Sequence, residues 1–567
     1  MANWLIHEPD HAAPSHNAFA RFQRGFEARF DAVHACYLGL LDLALANHRK
    51  VIAGFLGFSL LSLLLIPHLG QDFFPALDGG QIRIHMRAQT GTRIEDTTRI
   101  ADQVGTTIRK LLPDGAVAGV VSNLGLSVSG INMAYDNSGT IGNQDGTIQV
   151  TLSPGHGATA DDVKLLREQL PRRFPGVEFD FLPADMVSQI LNFGTPAPID
   201  LQIIGTNTAA NRVYANALLA RIRTIPGIAD AHIQQAFQHP QLDINLDRSF
   251  AGMVGLSERD VADAMLTNYA GSTQVAPTFW LNPKTGVSYP VSIQTPQNEV
   301  ASIDALRNTA ISPVGAADPT PQLLRNMADI DRTRGDAVVS HYNVRTVIDI
   351  YASPQNRDLG AVAADVQAIL KDTAGQVPKG ASVALRGQVA TMASAYHQLA
   401  IGLAAAIVLI FLLIVVNFQS WLDPLVIILG LPTALAGMAW MLFACQTSLS
   451  VPALTGAIMC MGVATANSIL VIAFAREHMS GGESPLASAR AAGAARFRPV
   501  LMTATAMILG MIPMAIEPGQ NMPLGRAVIG GLLFATCATL ILVPTLFSSI
   551  HRKAATSPAP SPQPAQS

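Results

Sequence analysis

The chain has 567 residues, 49% hydrophobic and only 14% charged, with a mean hydropathy of +0.31. Soluble globular chains carry about 25% charged residues, so this composition points to a membrane protein and excludes disorder over most of the length. The net charge of −3 offers no footprint for nucleic acid, and four cysteines without a CxxC pair argue against a disulfide scaffold or a zinc site.

Residues 1–47 have a polar start and no cleavable signal. Phe19, Phe22, Phe26 and Phe30 recur at spacings of three and four, with Arg21, Arg24 and Arg29 between them, which predicts an amphipathic helix. Two placements suit it: lying among lipid headgroups, or packing on the end of a helical bundle. Residues 51–69 form the first stretch able to cross a bilayer, which takes roughly 20 helical residues. Five more such stretches follow at 399–417, 424–443, 452–474, 499–516 and 526–550. Their interiors hold no Asp, Glu or Lys; Asp423 is expected in a short loop and Glu517 at a helix end. His48, Arg49 and Lys50 precede the first span, Arg476, Arg490, Arg496 and Arg498 lie between the fourth and fifth, and Arg552 and Lys553 follow the sixth. The positive-inside bias then places both termini in the cytoplasm and the long intervening region outside, periplasmic in a bacterium with two membranes. The tail at 551–567 is Pro/Ala/Ser-rich and predicted to be disordered.

The region between the first two spans alternates strand-like and helix-like segments. Strand 81–87, helix 93–112 and strand 116–122 are followed by strand 147–152, helix 160–173 and strand 177–182. A third unit runs through 199–204, 209–224 and 228–234, and a fourth through 346–351, 359–373 and 382–386. Pairs of such βαβ units make a ferredoxin-like arrangement, here interrupted in the second pair by an insert at 240–338. Within the insert, 277–290 reads as a hairpin whose turn holds Asn282, Pro283, Thr285 and Gly286.

No phosphate-cradling G-x4-G-K-[ST] loop, zinc-protease H-E-x-x-H or nucleophile-elbow G-x-S-x-G is present, so an enzyme is not expected and no cofactor is implied. His232, His239 and His341 lack metal-ligand spacing and read as structural or solvated.

Architecture and local motifs together resemble the resistance–nodulation–division (RND) efflux transporters. Gly70-Gln-Asp-Phe-Phe-Pro75 with Asp78, Gly79 and Gly80 resembles the start of the family's porter region. Gly462-Val-Ala-Thr-Ala-Asn467, running on to Phe474-Ala-Arg476-Glu477, resembles the tenth helix of a full-length pump. Arg496-Phe-Arg498-Pro499-Val-Leu-Met-Thr503 resembles the eleventh, and Gly530-Gly531 with Val543-Pro544 the twelfth. The resemblance implies a polytopic α-helical membrane protein of one plus five transmembrane helices, with a large α+β periplasmic region of ferredoxin-like porter subdomains and an inserted docking subdomain. It divides the chain into a cytoplasmic connector (1–50), first helix (51–69), one porter subdomain (70–197), a second (198–239 and 339–398) around the docking insert (240–338), a five-helix bundle (399–550) and a tail (551–567). It also implies an inner-membrane trimer working with a periplasmic adaptor and an outer-membrane channel, exporting small amphiphilic drugs by proton antiport.

Full-length members repeat this unit twice, and this chain resembles the second copy. The family's proton site pairs two aspartates on the fourth helix with a lysine on the tenth; here Ala466 stands at the lysine's place. Asn467, Thr503 and Arg496 match the supporting relay positions, with interhelical hydrogen bonding and positive-inside anchoring as the structural alternatives. Ile131, Met133 and Tyr135, within 127–142, fall where the family's substrate pocket is expected, and ordinary loop packing is the alternative. Alone, the chain is expected not to pump; either a complementary N-terminal half completes it, or it is a shortened remnant of a longer gene. The other readings are an assembly subunit docking into an intact permease and a SecDF-like protein-export accessory.

Overall fold

The computed structural model describes residues 18–554 except 76, 128–138, 193 and 313–319. The expected pocket residues Ile131, Met133 and Tyr135, and the tail beyond 554, lie outside the described residues.

A helix α1 (Ala18–Ala46) leads into α2 (His48–Leu63) at the start of the first candidate span, His48–His68. Two α+β domains follow. The first contains β1 (Gln81–Arg87), α3 (Ile94–Leu111), β2 (Val117–Leu124), β3 (Asp145–Leu152), α4 (Thr159–Arg173) and β4 (Glu178–Leu182), with antiparallel strand order β2-β3-β1-β4. Alternation along β1 turns Ile82, Ile84 and Met86 toward Val104 and Ile108 of α3 and Leu166 and Leu170 of α4. His85 and Arg87 thereby go to the opposite face.

The second domain repeats the pattern with β5 (Ile199–Ile204), α5 (Thr208–Ile222), β6 (Ile228–Ile233), and, after a long insert, β11 (Arg345–Pro354), α6 (Leu359–Asp372) and β12 (Ser382–Gly387). Strand β5 pairs with both β11 and β12, and β6 pairs with the far side of β11. Leu201, Ile203, Ile348 and Ile350 pack on Tyr214, Leu218 and Val366 of the two helices. The insert is carried on a ribbon of β7 (His239–Leu246) and β10 (Ala328–Gly335), and holds the hairpin β8 (Thr278–Leu281) and β9 (Ser288–Val291).

Five further candidate spans complete the chain: α7 (Gln388–Phe418), α8 (Leu422–Ile428) with α9 (Leu431–Ala444), α10 (Val451–Ser480), α11 (Pro485–Ile516), and α12 (Met522–Cys537) with α13 (Val543–Ala554). The third span is not continuous, because Pro432 near the start of α9 has no N–H to donate and its ring opposes the carbonyl of Ile428. The sixth passes through a π-helical turn at Ala538–Leu542. Pro544 denies the Leu540 carbonyl its helical partner, and the Tyr37 hydroxyl of α1 donates to that carbonyl at 3.0 Å. Tyr37 also stacks on Phe497 at 4.5 Å, and Leu41 and Leu45 complete the contact. The later part of α1 therefore packs on the arginine-rich end of the bundle; the side chains of Phe19, Phe22 and Phe26 lie outside the described residues. Burial pushes the Tyr37 phenol well above its ordinary pKa, so it acts as a hydroxyl donor throughout the physiological range.

Helices α9 and α12 cross at glycine. A Cβ on Gly530 would stand 2.2 Å from the Met441 Cβ, and one on Gly437 would stand 2.4 Å from the Gly530 carbonyl oxygen. Gly530→Ala is expected to destabilise the bundle by about 1–3 kcal/mol through overpacking, read as a lower melting temperature in detergent; an unchanged value would show that the crossing has slack.

Candidate functional site

Register alone creates a charged seam between the two α+β domains. Pairing of β1 with β3 sets Arg87 opposite Asp145, and pairing of β1 with β4 sets His85 opposite Asp180. Arg87 Nε and Nη2 donate to the two oxygens of Asp145 at 3.0 and 3.2 Å, a fork-to-fork contact. His85 lies between Asp180 at 3.3 Å and Asp145 at 3.5 Å. The second domain completes the set: His232 Nδ1 is 3.0 Å from Asp180, Arg167 Nε donates to Asp230 at 2.8 Å, and Arg87 donates to the Ile233 carbonyl at 3.3 Å. Burial disfavours charge on both histidines, but Asp145 and Asp180 outweigh it at His85 and Asp180 outweighs it at His232, so both pKa values are raised. Burial likewise opposes the Asp180 and Asp145 carboxylates, and their cationic partners hold both below the ordinary range.

Beside this seam opens a cleft of about 1110 Å³. The other end of the same polar face supplies Arg83, Thr147 and Gln149, and Phe73, Phe74 and Met186 supply apolar walls. The Gly70–Pro75 motif is the joint beneath it. Asp72 N–H donates to the Leu449 carbonyl of the bundle at 2.9 Å, while the Asp72 carboxylate accepts from the Leu359 N–H at the start of α6 at 3.0 Å. Tyr396 of α7 donates to the Leu449 carbonyl at 2.6 Å. The cleft floor is thereby tied to the membrane helices.

In the bundle, Asn467 is buried on α10, whereas Thr503 is exposed on α11 and donates to the Val500 carbonyl of its own helix at 3.0 Å. Arg496 lies over the Phe474 ring at 5.2 Å. No hydrogen bond joins these three among the described residues. Ala466 is exposed on α10. Beside Asn467, Ser468 makes an interhelical polar link to Thr539 of the π turn, at 3.1 Å. Asp423 is not in a loop: it sits in the first turn of α8, 1% exposed, 3.3 Å from Arg476 and 3.4 Å from His551. Arg476 also donates to the Phe418 carbonyl at 2.6 Å, closing the end of α7. Sequence reasoning missed this cluster because its members stand 53 and 128 positions from Asp423 in the chain. It also missed the seam, although two basic residues on one face of a strand, His85 and Arg87, were a readable signal of acidic partners.

Comparison with known proteins follows the same architecture. Residues 1–551 match the AcrB/AcrD/AcrF family. The chain is 27% identical over 527 residues to the cobalt-zinc-cadmium resistance protein CzcA of Cupriavidus metallidurans, covering 91% of this chain and 48% of that protein. It is also 27% identical to Protein HelA of Legionella pneumophila, over 94% of this chain and 51% of that one. A solved heavy metal efflux pump superposes with a TM-score of 0.74 at 25% identity, over 93% of this chain and 53% of the pump. The chain spans about half the length of the curated relatives it matches. It belongs to the AcrB/AcrD/AcrF family, the inner-membrane permeases of the RND class.

Proposed function

We propose that this chain is one half of an RND efflux permease, which exports small amphiphiles by proton antiport when a complementary N-terminal half supplies the titrating carboxylates. The observation that carries this reading is the family match along 1–551 of a chain covering 48% of a full-length relative. On this reading the two α+β domains are porter subdomains facing the periplasm, the insert is the docking subdomain, and both termini are cytoplasmic. Its hairpin exposes Phe279 by 65% and Trp280 by 52%, an apolar surface suited to contact between protomers of a trimer. An adaptor and an outer-membrane channel complete the export route.

The cleft supports an amphiphilic cargo, with aromatic and thioether walls for the apolar part and Arg83 and Gln149 for a polar group. A second reading, export of divalent metal ions, is favoured by the described function of CzcA and by the convergence of His85, Asp145, Asp180 and His232. Those four are already engaged with one another and with Arg87. The amphiphile reading is preferred on the aromatic and thioether walls of the cleft.

The test is co-expression with a complementary half in cells lacking their own efflux systems. Dye export is expected, and zinc resistance without dye export would transfer the assignment to metal ions. Thr503→Ala is expected to lower dye efflux severalfold, because its hydroxyl can orient water beside a carboxylate brought by the other half. Unchanged efflux would remove Thr503 from the relay.

A further inference from the structure

The first span is thinly covered, and its inner face is notched. Nothing lies within 4 Å of where a Cβ on Gly54 would stand. The notch is part of a hollow of about 810 Å³ between α1, α2 and α12, walled by Leu43, Phe55, Phe58, Leu533 and Phe534. A second hollow of about 460 Å³ shares Phe58, Leu533 and Phe534 with it and reaches Trp440. Together they trace one apolar channel along the span. From Lys50 to Phe58 alone the helix rises about 12 Å, at 1.5 Å per residue.

The channel has polar lining at one end only, where Asn47 and Lys50 stand. His48, Arg49 and Lys50 form the first turn of α2, which contains no acidic residue. Asp42 is committed to Arg490 at 2.6 Å, and no ion pair engages His48, Arg49 or Lys50 among the described residues. Cations in a helix's first turn also face the positive end of its dipole. An apolar channel at membrane depth that ends on unneutralised cations matches one membrane component, a molecule with an aliphatic tail and an anionic head.

We propose that this groove binds an anionic phospholipid, with an acyl chain along Gly54, Phe55 and Phe58 and its phosphate at Lys50. The lipid fills the gap between the first and last spans and neutralises the basic turn where α1 joins α2. The charge at Lys50 supplies headgroup preference, and the walls supply chain affinity.

The full chain, purified in mild detergent, would be titrated with phosphatidylglycerol and with phosphatidylcholine of identical chains and read by native mass spectrometry. Wild type is expected to retain phosphatidylglycerol in preference by about fivefold, the effect of one basic residue at a membrane surface. Lys50→Gln is expected to bring the two lipids to parity, and Lys50→Arg to keep the preference. Gly54→Leu, which fills the notch with a good helix former, is expected to lower retention of both. Equal retention by wild type, a preference surviving in Lys50→Gln, or a second polypeptide in place of lipid would overturn the proposal. The Lys50→Arg control separates charge loss from misfolding.

Discussion

Arg476→Met is expected to destabilise the helical bundle by about 3 kcal/mol, and by more than Asp423→Ala. Removing one member of a buried ion pair costs about 3–5 kcal/mol when the remaining charge has no solvent. The two members are unequally placed: the Asp423 side chain is 1% exposed and that of Arg476 36%. Loss of Arg476 leaves a carboxylate sealed at the end of the bundle with His551 as its remaining neighbour at 3.4 Å. It also strips the Phe418 carbonyl of its donor. Loss of Asp423 leaves a guanidinium that can turn to water. The double variant Asp423→Asn with Arg476→Met, which removes both charges, is expected to recover most of the stability. Melting temperatures of the four proteins in one detergent test this; equal effects of the two single variants would show that the cluster is hydrated.

The second large effect is a pH dependence of the extramembrane region. Asp200 and Asp349 lie on the polar face of the second sheet, where Asp200 pairs with Tyr351 and Asp349 with Gln202. Burial, reinforced by the charge of Asp349, pushes the Asp200 carboxyl up to about 8, and burial raises Asp349 as well. Gln202 donates to Asp200 at 3.0 Å and Gln235 to Asp349 at 2.7 Å, which offsets only part of the cost. A raised folded-state pKa means that the native protein keeps a proton that the unfolded chain has released. Stability from this group is therefore complete below the unfolded value of 3.8 and is lost as pH rises toward 8, by about 1.4 kcal/mol per pH unit from this group alone.

His85 and His232, also raised, add a loss that begins above their unfolded value of 6.5. Asp145 and Asp180 act oppositely, their lowered pKa values giving stability that disappears as pH falls below 3.8. Stability is accordingly expected to be greatest in mildly acidic solution and to fall steadily toward pH 8. Asp200→Asn is expected to flatten the profile between pH 4 and 6.5 and to raise the melting temperature at pH 8. A profile of unchanged slope would show that the carboxyl is ionised and solvated in the native state.

What the sequence determined by itself was everything governed by local periodicity. The six apolar stretches, the β–α alternation and the hairpin at 277–290 follow from side-chain spacing, because helices and strands each present one face per fixed repeat. The Gly70–Pro75 and Gly462–Asn467 motifs carried the family for the same reason, being contiguous. Tertiary structure decided what depends on elements distant in the chain. Asp423 had no visible partner until the ends of α10 and α13 were brought beside α8. His232 read as an ordinary histidine until β6 met Asp180 across the domain seam. Tyr37 carries no signal in the sequence, and its role followed from a proline more than five hundred positions away that left the Leu540 carbonyl without a donor. A buried charge or an orphaned carbonyl must find a partner wherever the fold delivers one, and that delivery depends on how the helices and sheets cross, which residue spacing along the chain does not encode.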